Sequence, residues 1–262
     1  HRDLHSFPTR RSSDLLGRVD KLSTVFALIM GLMAVIGTLY GLHVDRAGEH
    51  MAAWFYAAGS LGAIYSGDYL SLFLFWEMMA FGSVFLIWFR RGPQSLRVGY
   101  RYLLIHTIGG NILLAGILLR YQAVGNITFD LMDVAHPELY TWLIMIGFGL
   151  NAAMVPLHSW LPEAYSEASF NGAVFLCAFT TKTAVYTLAR SCAGMDALVV
   201  LGVIMALYGV IYAVMENDVR KLLAWSIVSQ VGYMVAGVGI GTEMATNGAV
   251  AHAGVHILYQ SL

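Results

Sequence analysis

A few ionisable side chains lie deep inside apolar sequence, where a charge is costly. Glu77 falls within the run Phe-Leu-Phe-Trp-Glu-Met-Met, and Lys182 within Thr-Thr-Lys-Thr. A charge at the centre of a bilayer costs about 2.5–3.5 kcal/mol on insertion scales. Neither residue is near enough to an end of its segment to reach the interface. We therefore expect both to face protein, water or each other, either in a proton or ion path or as a structural pair.

Histidines add a second polar feature. His252, His256 and Gln260 recur at i, i+4 and i+8, so they share one face of a helix. This spacing suits a polar stripe facing a hydrated bundle interior, with imidazoles that titrate near neutral pH, or plain hydrogen bonding between helices. It also suits a metal pair, but no Glu follows the first His and no third ligand is evident, so zinc is disfavoured. His106 lies alone in its segment, and either a relay or a structural role is open to it.

The composition indicates a membrane protein. Hydrophobic residues make up 58% of the 262 residues and charged residues 12%, with a mean hydropathy of +0.66. Soluble domains contain about 25% charged residues. The formal net charge is −1, and no basic run with interleaved aromatic residues suggests nucleic-acid binding. Two cysteines, Cys177 and Cys192, are too few for a disulfide framework.

The hydropathy profile predicts an all-α, polytopic transmembrane helix bundle, because backbone groups in lipid must be satisfied internally. Loops at one end of these segments hold seven Arg or Lys residues, and those at the other end hold Arg120 and Arg190. The positive-inside rule then places the 90–101 loop in the cytoplasm. The predicted segments are 22–44, 51–67, 69–89, 102–119, 139–155, 170–189, 197–215 and 222–241, with a ninth from about 249.

A proline-bracketed break follows the fifth segment. Pro156 and Pro162 remove backbone donors and interrupt a continuous helix. Interrupted helices at membrane depth line cavities and mark transporter ion sites. A simple interfacial loop is the alternative. His158, between the two prolines, is expected to anchor the break structurally.

The first fifteen residues differ from the rest. The segment 1–15, HRDLHSFPTRRSSDL, is polar and Arg- and Ser-rich. It resembles a conceptual translation of a sequencing-library adapter, so we expect it to be an artefact outside the fold. The chain stops at Leu262 inside an apolar segment. We expect a fragment that lacks both natural termini.

Several motifs in order resemble the antiporter-like membrane subunits shared by respiratory NADH:quinone oxidoreductase (complex I), Mrp cation/proton antiporters and membrane-bound hydrogenases. The similarity covers roughly residues 50–262. The matching stretches are Phe75–Met79, Pro156–Ala164, Lys182–Tyr186, Asn217–Ser226, Ser229–Tyr233 and Ala251–Leu262.

The resemblance implies two inverted five-helix repeats, each with a broken helix. Residues 16–50 would then form a flanking transmembrane helix and 51–190 the first repeat, with its broken helix near Pro156. Residues 191–262 would begin the second repeat, which is truncated.

The resemblance also implies roles along a midplane proton relay. Glu77 would modulate a lysine on the broken helix, Lys182 would be the central carrier, and His252 and His256 would lead toward the second half. Two residues depart from the pattern. The broken-helix lysine falls at Asn151, and the lysine after the second His falls at Gln260, and neither side chain can carry a proton as lysine does. We therefore place His106, Asn151, His158 and Gln260 among possible relay or supporting residues.

These observations predict an integral membrane subunit of a multi-subunit translocating complex in a prokaryotic cell membrane, moving H⁺ and possibly exchanging it for Na⁺. The expected partners are other membrane subunits and lipid. We expect no cofactor or metal in this chain, since it has no nucleotide, flavin, haem or iron–sulfur motif, and redox chemistry would belong to partners. The alternatives are a hydrogenase module, a non-pumping assembly subunit and a standalone transporter of a small solute.

Overall fold

The computed structural model describes residues 17–261, and they form a bundle of α-helices. The interpretation of residues 1–15 as an artefact therefore lies outside the described residues. The helices are α1 (Lys21–Tyr40), α2 (Ala47–Tyr65), α3 (Tyr69–Trp88), α4 (Pro93–Val124), α5 (Leu139–Asn151), α6 (Trp160–Glu167), α7 (Phe170–Ala178), α8 (Thr180–Ser191), α9 (Asp196–Met215), α10 (Val219–Ile240) and α11 (Glu243–Ser261).

Every predicted segment is helical, which confirms the all-α transmembrane prediction. Six helical segments are long and apolar enough to cross a membrane. They are Lys21–His43, Tyr69–Trp88, Pro93–Val124, Phe170–Ser191, Asp196–Met215 and Val219–Ile240. The other three predicted segments correspond to α2, α5 and α11.

Local sequence explains where several helices begin and end. Asp20 caps α1 by accepting a hydrogen bond from the Ser23 amide, and the Ser23 hydroxyl completes a capping box. Asp68 caps α3 by accepting hydrogen bonds from the amides of Leu70 and Ser71. Pro93 lies in the first turn of α4, where its missing N–H costs nothing, so this helix begins earlier than the predicted position 102. Gly125 ends α4 in the left-handed conformation.

The loops fall into two groups that meet at opposite ends of the bundle. At one end, which we call the basic end (residues 45–50, 90–101, 163–169 and 216–221), arginines join neighbouring loops. Nη1 of Arg101 donates to both carboxylate oxygens of Glu163, at 2.8 and 2.9 Å, and Arg220 donates to the Ala168 carbonyl at 2.8 Å. At the opposite end, Arg190 forms a bidentate ion pair with Asp20, with both bonds at 2.8 Å.

Helix α8 lies at the centre of the bundle, and every one of its residues is buried. Small residues let other helices pack closely around it. A Cβ placed on Gly202 of α9 would lie 2.4 Å from the backbone nitrogen of Ala236 in α10. Such a close approach of two helix backbones requires glycine at this position.

The break near Pro156 is confirmed. Helix α5 has 13 residues, about 20 Å at 1.5 Å per residue, which is shorter than a hydrocarbon core of about 30 Å. Residues 152–159 then form turns in which Ala153 takes a φ of +56° and Pro156 follows a cis bond. Helix α6 resumes at Trp160.

A second interruption corrects the prediction of one continuous helix over 170–189. Helix α7 ends at Ala178, Phe179 takes φ −102° and ψ −63°, and α8 starts at Thr180. The Thr180 amide donates to the Tyr56 hydroxyl at 2.8 Å. A side chain of α2 thus provides an acceptor for this amide at the point where the two helices separate.

Candidate functional site

Lys182 lies in the first turn of α8, directly after the second interruption. Its side chain is fully buried, and its ammonium donates to the Cys177 carbonyl at 2.6 Å. That carbonyl belongs to the last turn of α7, where helix carbonyls lack intrahelical partners and the helix dipole favours a cation. Among the described residues, Lys182 has no carboxylate within 4 Å. The break therefore solvates the ammonium without neutralising it.

Hydroxyl groups from α2 and α8 surround the same break. The Tyr56 hydroxyl lies 2.5 Å from the Thr180 hydroxyl, and the Ser60 hydroxyl lies 2.6 Å from that of Thr183. All four side chains are buried. The residues on both sides of Lys182 are thus held by hydroxyl groups, each of which can donate and accept a hydrogen bond.

Glu77 lies on α3, away from Lys182. Its Oε1 is buried without a hydrogen-bond partner, and a Cβ built on Gly110 of α4 would lie 1.9 Å from that oxygen. The absence of a Gly110 side chain makes room for the carboxylate. Within the part of the chain that the structure describes, Glu77 forms no ion pair with Lys182 or any other cation.

Asn151 is the last residue of α5 and is buried, with 1% of its surface exposed. Neither its amide nitrogen nor its amide oxygen has a hydrogen-bond partner among the described residues. The preceding residue, Leu150, packs on Gly109 of α4, next to the glycine that receives Glu77. Asn151 therefore lies at about the same depth in the bundle as the Glu77 carboxylate.

His106 lies one turn before Gly110 on α4. Its ring stacks on Tyr102, with centroids 3.9 Å apart, and meets Trp160 edge-on at 4.5 Å. Nδ1 lies 3.0 Å from the Tyr102 carbonyl, which can only accept, so Nδ1 carries a proton. Nε2 is buried and without a partner among residues 17–261.

The histidines of α11 face the centre of the bundle. His252 and His256 stack with centroids 6.2 Å apart, and His256 is fully buried with neither ring nitrogen hydrogen-bonded within the described chain. Helix α11 packs against both α7 and α8, the two helices that meet beside Lys182. Gln260 instead donates to the Leu223 carbonyl of α10 at 3.2 Å. The predicted polar stripe is therefore divided: His252 and His256 face the centre of the bundle, whereas Gln260 bonds to α10.

His158 packs in an aromatic cluster beside the first break. Its ring lies 4.8 Å from that of Tyr208 and 5.4 Å from that of Trp225. These contacts tie the turn at 152–159 to α9 and α10. They fit the structural role expected for His158.

Sequence reasoning missed the buried phenols near the second break. Besides Tyr56, the phenols of Tyr102 and Tyr165 are buried, and both of their rings pack against Trp160. Tyr102 also bonds Ser83 at 2.8 Å. Three tyrosines in apolar segments were the available signal, but their convergence depends on the packing of α2, α4 and α6. Across residues 17–261, no group of three His, Cys, Asp or Glu side chains is placed to hold a metal ion.

Comparison with known proteins gives consistent matches. Residues 66–262 match the family described as "NADH:quinone oxidoreductase/Mrp antiporter, TM". Hydrogenase-4 component B of Escherichia coli is 29% identical over 97% of this chain and 43% of its own length. NADH-quinone oxidoreductase subunit N of Desulforudis audaxviator is 33% identical over 89% of this chain and 51% of its own length.

A solved structure agrees with these sequence matches. A chain of the Mrp complex from Dietzia sp. DQ12-45-1b superposes with a TM-score of 0.85 at 27% identity, covering 92% of this chain and 29% of that one. The chain thus spans about half the length of the curated relatives that it matches.

Proposed function

Because this chain belongs to the NADH:quinone oxidoreductase/Mrp antiporter transmembrane family, we propose that it is an integral membrane subunit of a proton-translocating complex. The observation that carries the proposal is Lys182. A fully buried ammonium without a carboxylate partner within 4 Å, placed at a helix break, is costly unless its charge serves a purpose.

In this proposal, Lys182 is the central proton carrier. His252 and His256, whose rings stack on α11, receive the proton next, and both ring nitrogens of His256 are without a hydrogen-bond partner among the described residues. Glu77 is the carboxylate whose charge sets when a proton moves. His106 and Asn151 support the layer near Glu77, whereas His158 and Gln260 hold helices together.

The proposed partners are further membrane subunits, since the similar Dietzia structure is that of a complex. The proposed location is the cell membrane of a prokaryote, where the multi-pass chain lies with its basic end in the cytoplasm. The proposed division is a flanking helix at 16–50, a first repeat at 51–190 and the start of a second repeat at 191–262.

Proton movement in sealed membrane vesicles tests the proposal. Lys182→Ala and Glu77→Gln are each expected to lower H⁺ translocation at least tenfold in an assembled complex. The matched controls are Lys21→Ala and Glu243→Gln, which alter exposed residues of the same types and should leave translocation unchanged. Full translocation in both site variants would instead support a non-pumping assembly subunit. Transport by the chain expressed alone would support a standalone transporter.

Exchange of H⁺ for Na⁺ is the second candidate. It is favoured by the unpaired Glu77 carboxylate at about the depth of the unpaired Asn151 amide, because a carboxylate and an amide oxygen are suitable ligands for a hard cation. Uptake of ²²Na⁺ driven by a pH gradient tests it. Uptake that is lost in Glu77→Gln supports exchange, and a gradient-independent background contradicts it.

A further inference from the structure

A cavity of about 380 Å³ lies at the basic end, where helix α6 meets the end of α9 and the start of α10. Its charged walls are Glu163, Glu216 and Lys221, and its aromatic walls include Tyr212 and Trp225. The volume falls within the range of small-molecule sites, roughly 300–1,000 Å³. The cavity therefore combines charges of both signs with an aromatic surface.

The cavity lies away from both limits of the described chain. Helix α11 reaches α10 through the bond from Gln260 to the Leu223 carbonyl. Leu223 and Trp225 are two residues apart, so they point about 200° away from each other around α10. Near the other limit, Asp20 pairs with Arg190 at the opposite end of the bundle. The cavity is thus formed by the middle of the chain.

The depth of the cavity matches that of lipid headgroups. Helices α9 and α10, which meet at the basic end, are both long and apolar enough to cross a membrane. Tyr212 lies in the last turn of α9, and Trp225 lies in the second turn of α10. Tyrosine and tryptophan are enriched at the membrane–water interface. Farther from the basic end, α9 exposes Leu207 and Ile211, which provide an apolar surface for acyl chains.

The aromatic wall is packed against the first break. Tyr212 and Trp225 stack with centroids 4.9 Å apart, and Tyr208 lies 4.5 Å from Tyr212. His158, of which 7% is exposed, contacts both Tyr208 and Trp225. A molecule in the cavity therefore rests on the side chains that tie the turn at 152–159 to α9 and α10.

The charged wall suits a zwitterion whose cation can donate hydrogen bonds. Glu216 accepts the backbone amides of the next two residues through Oε1, which leaves Oε2 for a ligand within the described chain. Lys221 forms no ion pair within 4 Å among residues 17–261. An ammonium group has three N–H donors that a carboxylate accepts, and lysine is a common partner of phosphate.

We propose that this cavity binds the headgroup of a phospholipid with a primary amine, of the phosphatidylethanolamine type. The ammonium donates to Glu216, the phosphate accepts from Lys221, and the acyl chains lie along the exposed apolar face of α9. A phosphatidylglycerol headgroup brings a net negative charge to a site with two carboxylates, and a choline headgroup has no N–H to donate. Lipid binding here is independent of proton translocation and braces the first break.

Photo-crosslinking identifies the occupant. Tyr212, which is exposed, is replaced by p-benzoylphenylalanine, and the assembled complex is placed in vesicles that hold phosphatidylethanolamine, phosphatidylglycerol and phosphatidylcholine in equal amounts. After irradiation, the peptide that carries position 212 is weighed. We expect the ethanolamine lipid to dominate the adducts. Equal adducts with all three lipids, an excess of the glycerol lipid, or crosslinking to a protein chain overturns the proposal.

Charge-removing variants test the two headgroup contacts in the same vesicles. Glu216→Gln and Lys221→Gln should each lower the ethanolamine-lipid adduct about tenfold, the effect of losing one charge-assisted hydrogen bond. Glu243→Gln and Lys21→Gln change exposed residues of the same types and should leave the adduct unchanged. In detergent, the ethanolamine lipid should raise the unfolding midpoint of the wild-type complex but not that of Glu216→Gln. Adducts at the wild-type level in both cavity variants overturn the assigned contacts.

Discussion

Gly110→Ala provides a direct test of where the Glu77 carboxylate rests. The new Cβ would lie 1.9 Å from Oε1 and 3.0 Å from the carboxyl carbon. Ordinary van der Waals contact begins at 3.4 Å, so the carboxylate has to retreat by about 1.5 Å. The obstructing atom is the far end of a flexible side chain, so the strain should be at the low end of the overpacking range, about 1 kcal/mol.

The functional effect should exceed the effect on stability. A misplacement of about 1 Å in a reacting group can reduce a rate by about 10². We therefore expect at least a tenfold loss of H⁺ translocation, followed with a pH-sensitive dye in vesicles. Gly31→Ala is the matched control, because nothing lies within 4 Å of the Cβ it adds and it gains the same helix propensity.

A double-mutant cycle isolates the contact. In a Glu77→Ala background the added methyl group meets no carboxylate, so the cost of Gly110→Ala in thermal unfolding should disappear. A coupling of about 1 kcal/mol between the two positions is expected. If Gly110→Ala and Gly31→Ala agree in both unfolding midpoint and translocation, the carboxylate does not rest on α4 and the geometry is wrong.

Three further predictions concern stability, each measured by thermal unfolding of the purified complex. Burial alone would raise the pKa of Asp20, but hydrogen bonding and ion pairing with Arg190 outweigh it and hold that pKa well below its ordinary value. Asp20→Asn should therefore cost about 2 kcal/mol at pH 7 by leaving Arg190 unpaired, a difference that shrinks as the pH falls below about 4, where the unfolded aspartate is protonated. Gly202→Ala should cost about 2–3 kcal/mol relative to the Gly31 control, because its Cβ meets α10 backbone that cannot move aside. Tyr56→Phe should cost about 1–3 kcal/mol, since the buried Thr180 amide loses its acceptor, and an unchanged midpoint would show that this amide finds another.

Hydropathy and proline were sufficient to predict much of the fold. An apolar segment long enough to cross the bilayer must be helical whatever packs against it, because its backbone groups have no water to bond. The predicted segments and the break near Pro156 could therefore be located from the sequence. The burial of Lys182 followed from the same reasoning, because a lysine so far from either end of its segment cannot reach water. Each of these features can be predicted from the sequence of a single segment.

The features that sequence reasoning missed depend on contacts between distant segments. The interruption at Phe179 has no Pro or Gly to mark it, and its amide is satisfied by Tyr56, 124 positions from Thr180. The Glu77 carboxylate occupies the space that a side chain at position 110 would fill. Gly110 is one of 27 glycines, and no neighbouring residue in the sequence distinguishes it from the others. Such partners become visible only after the helices have been packed.

In the proposed relay, an amide at Asn151 limits how Glu77 and Lys182 can influence each other. Of the three lysines in the chain, Lys21 and Lys221 lie near the ends of the bundle, so Lys182 is the one ammonium at its centre. Asn151 stands where the family resemblance implies a lysine, so the proposal leaves Glu77 to act on Lys182 without an intermediate cation. An amide cannot carry a proton, but it can donate and accept, so it can orient a hydrogen-bonded chain without holding charge. In the proposed relay, Glu77 would act on Lys182 through its field, and the buried hydroxyls of Tyr56 and Thr180 are the candidates for passing protons along the break.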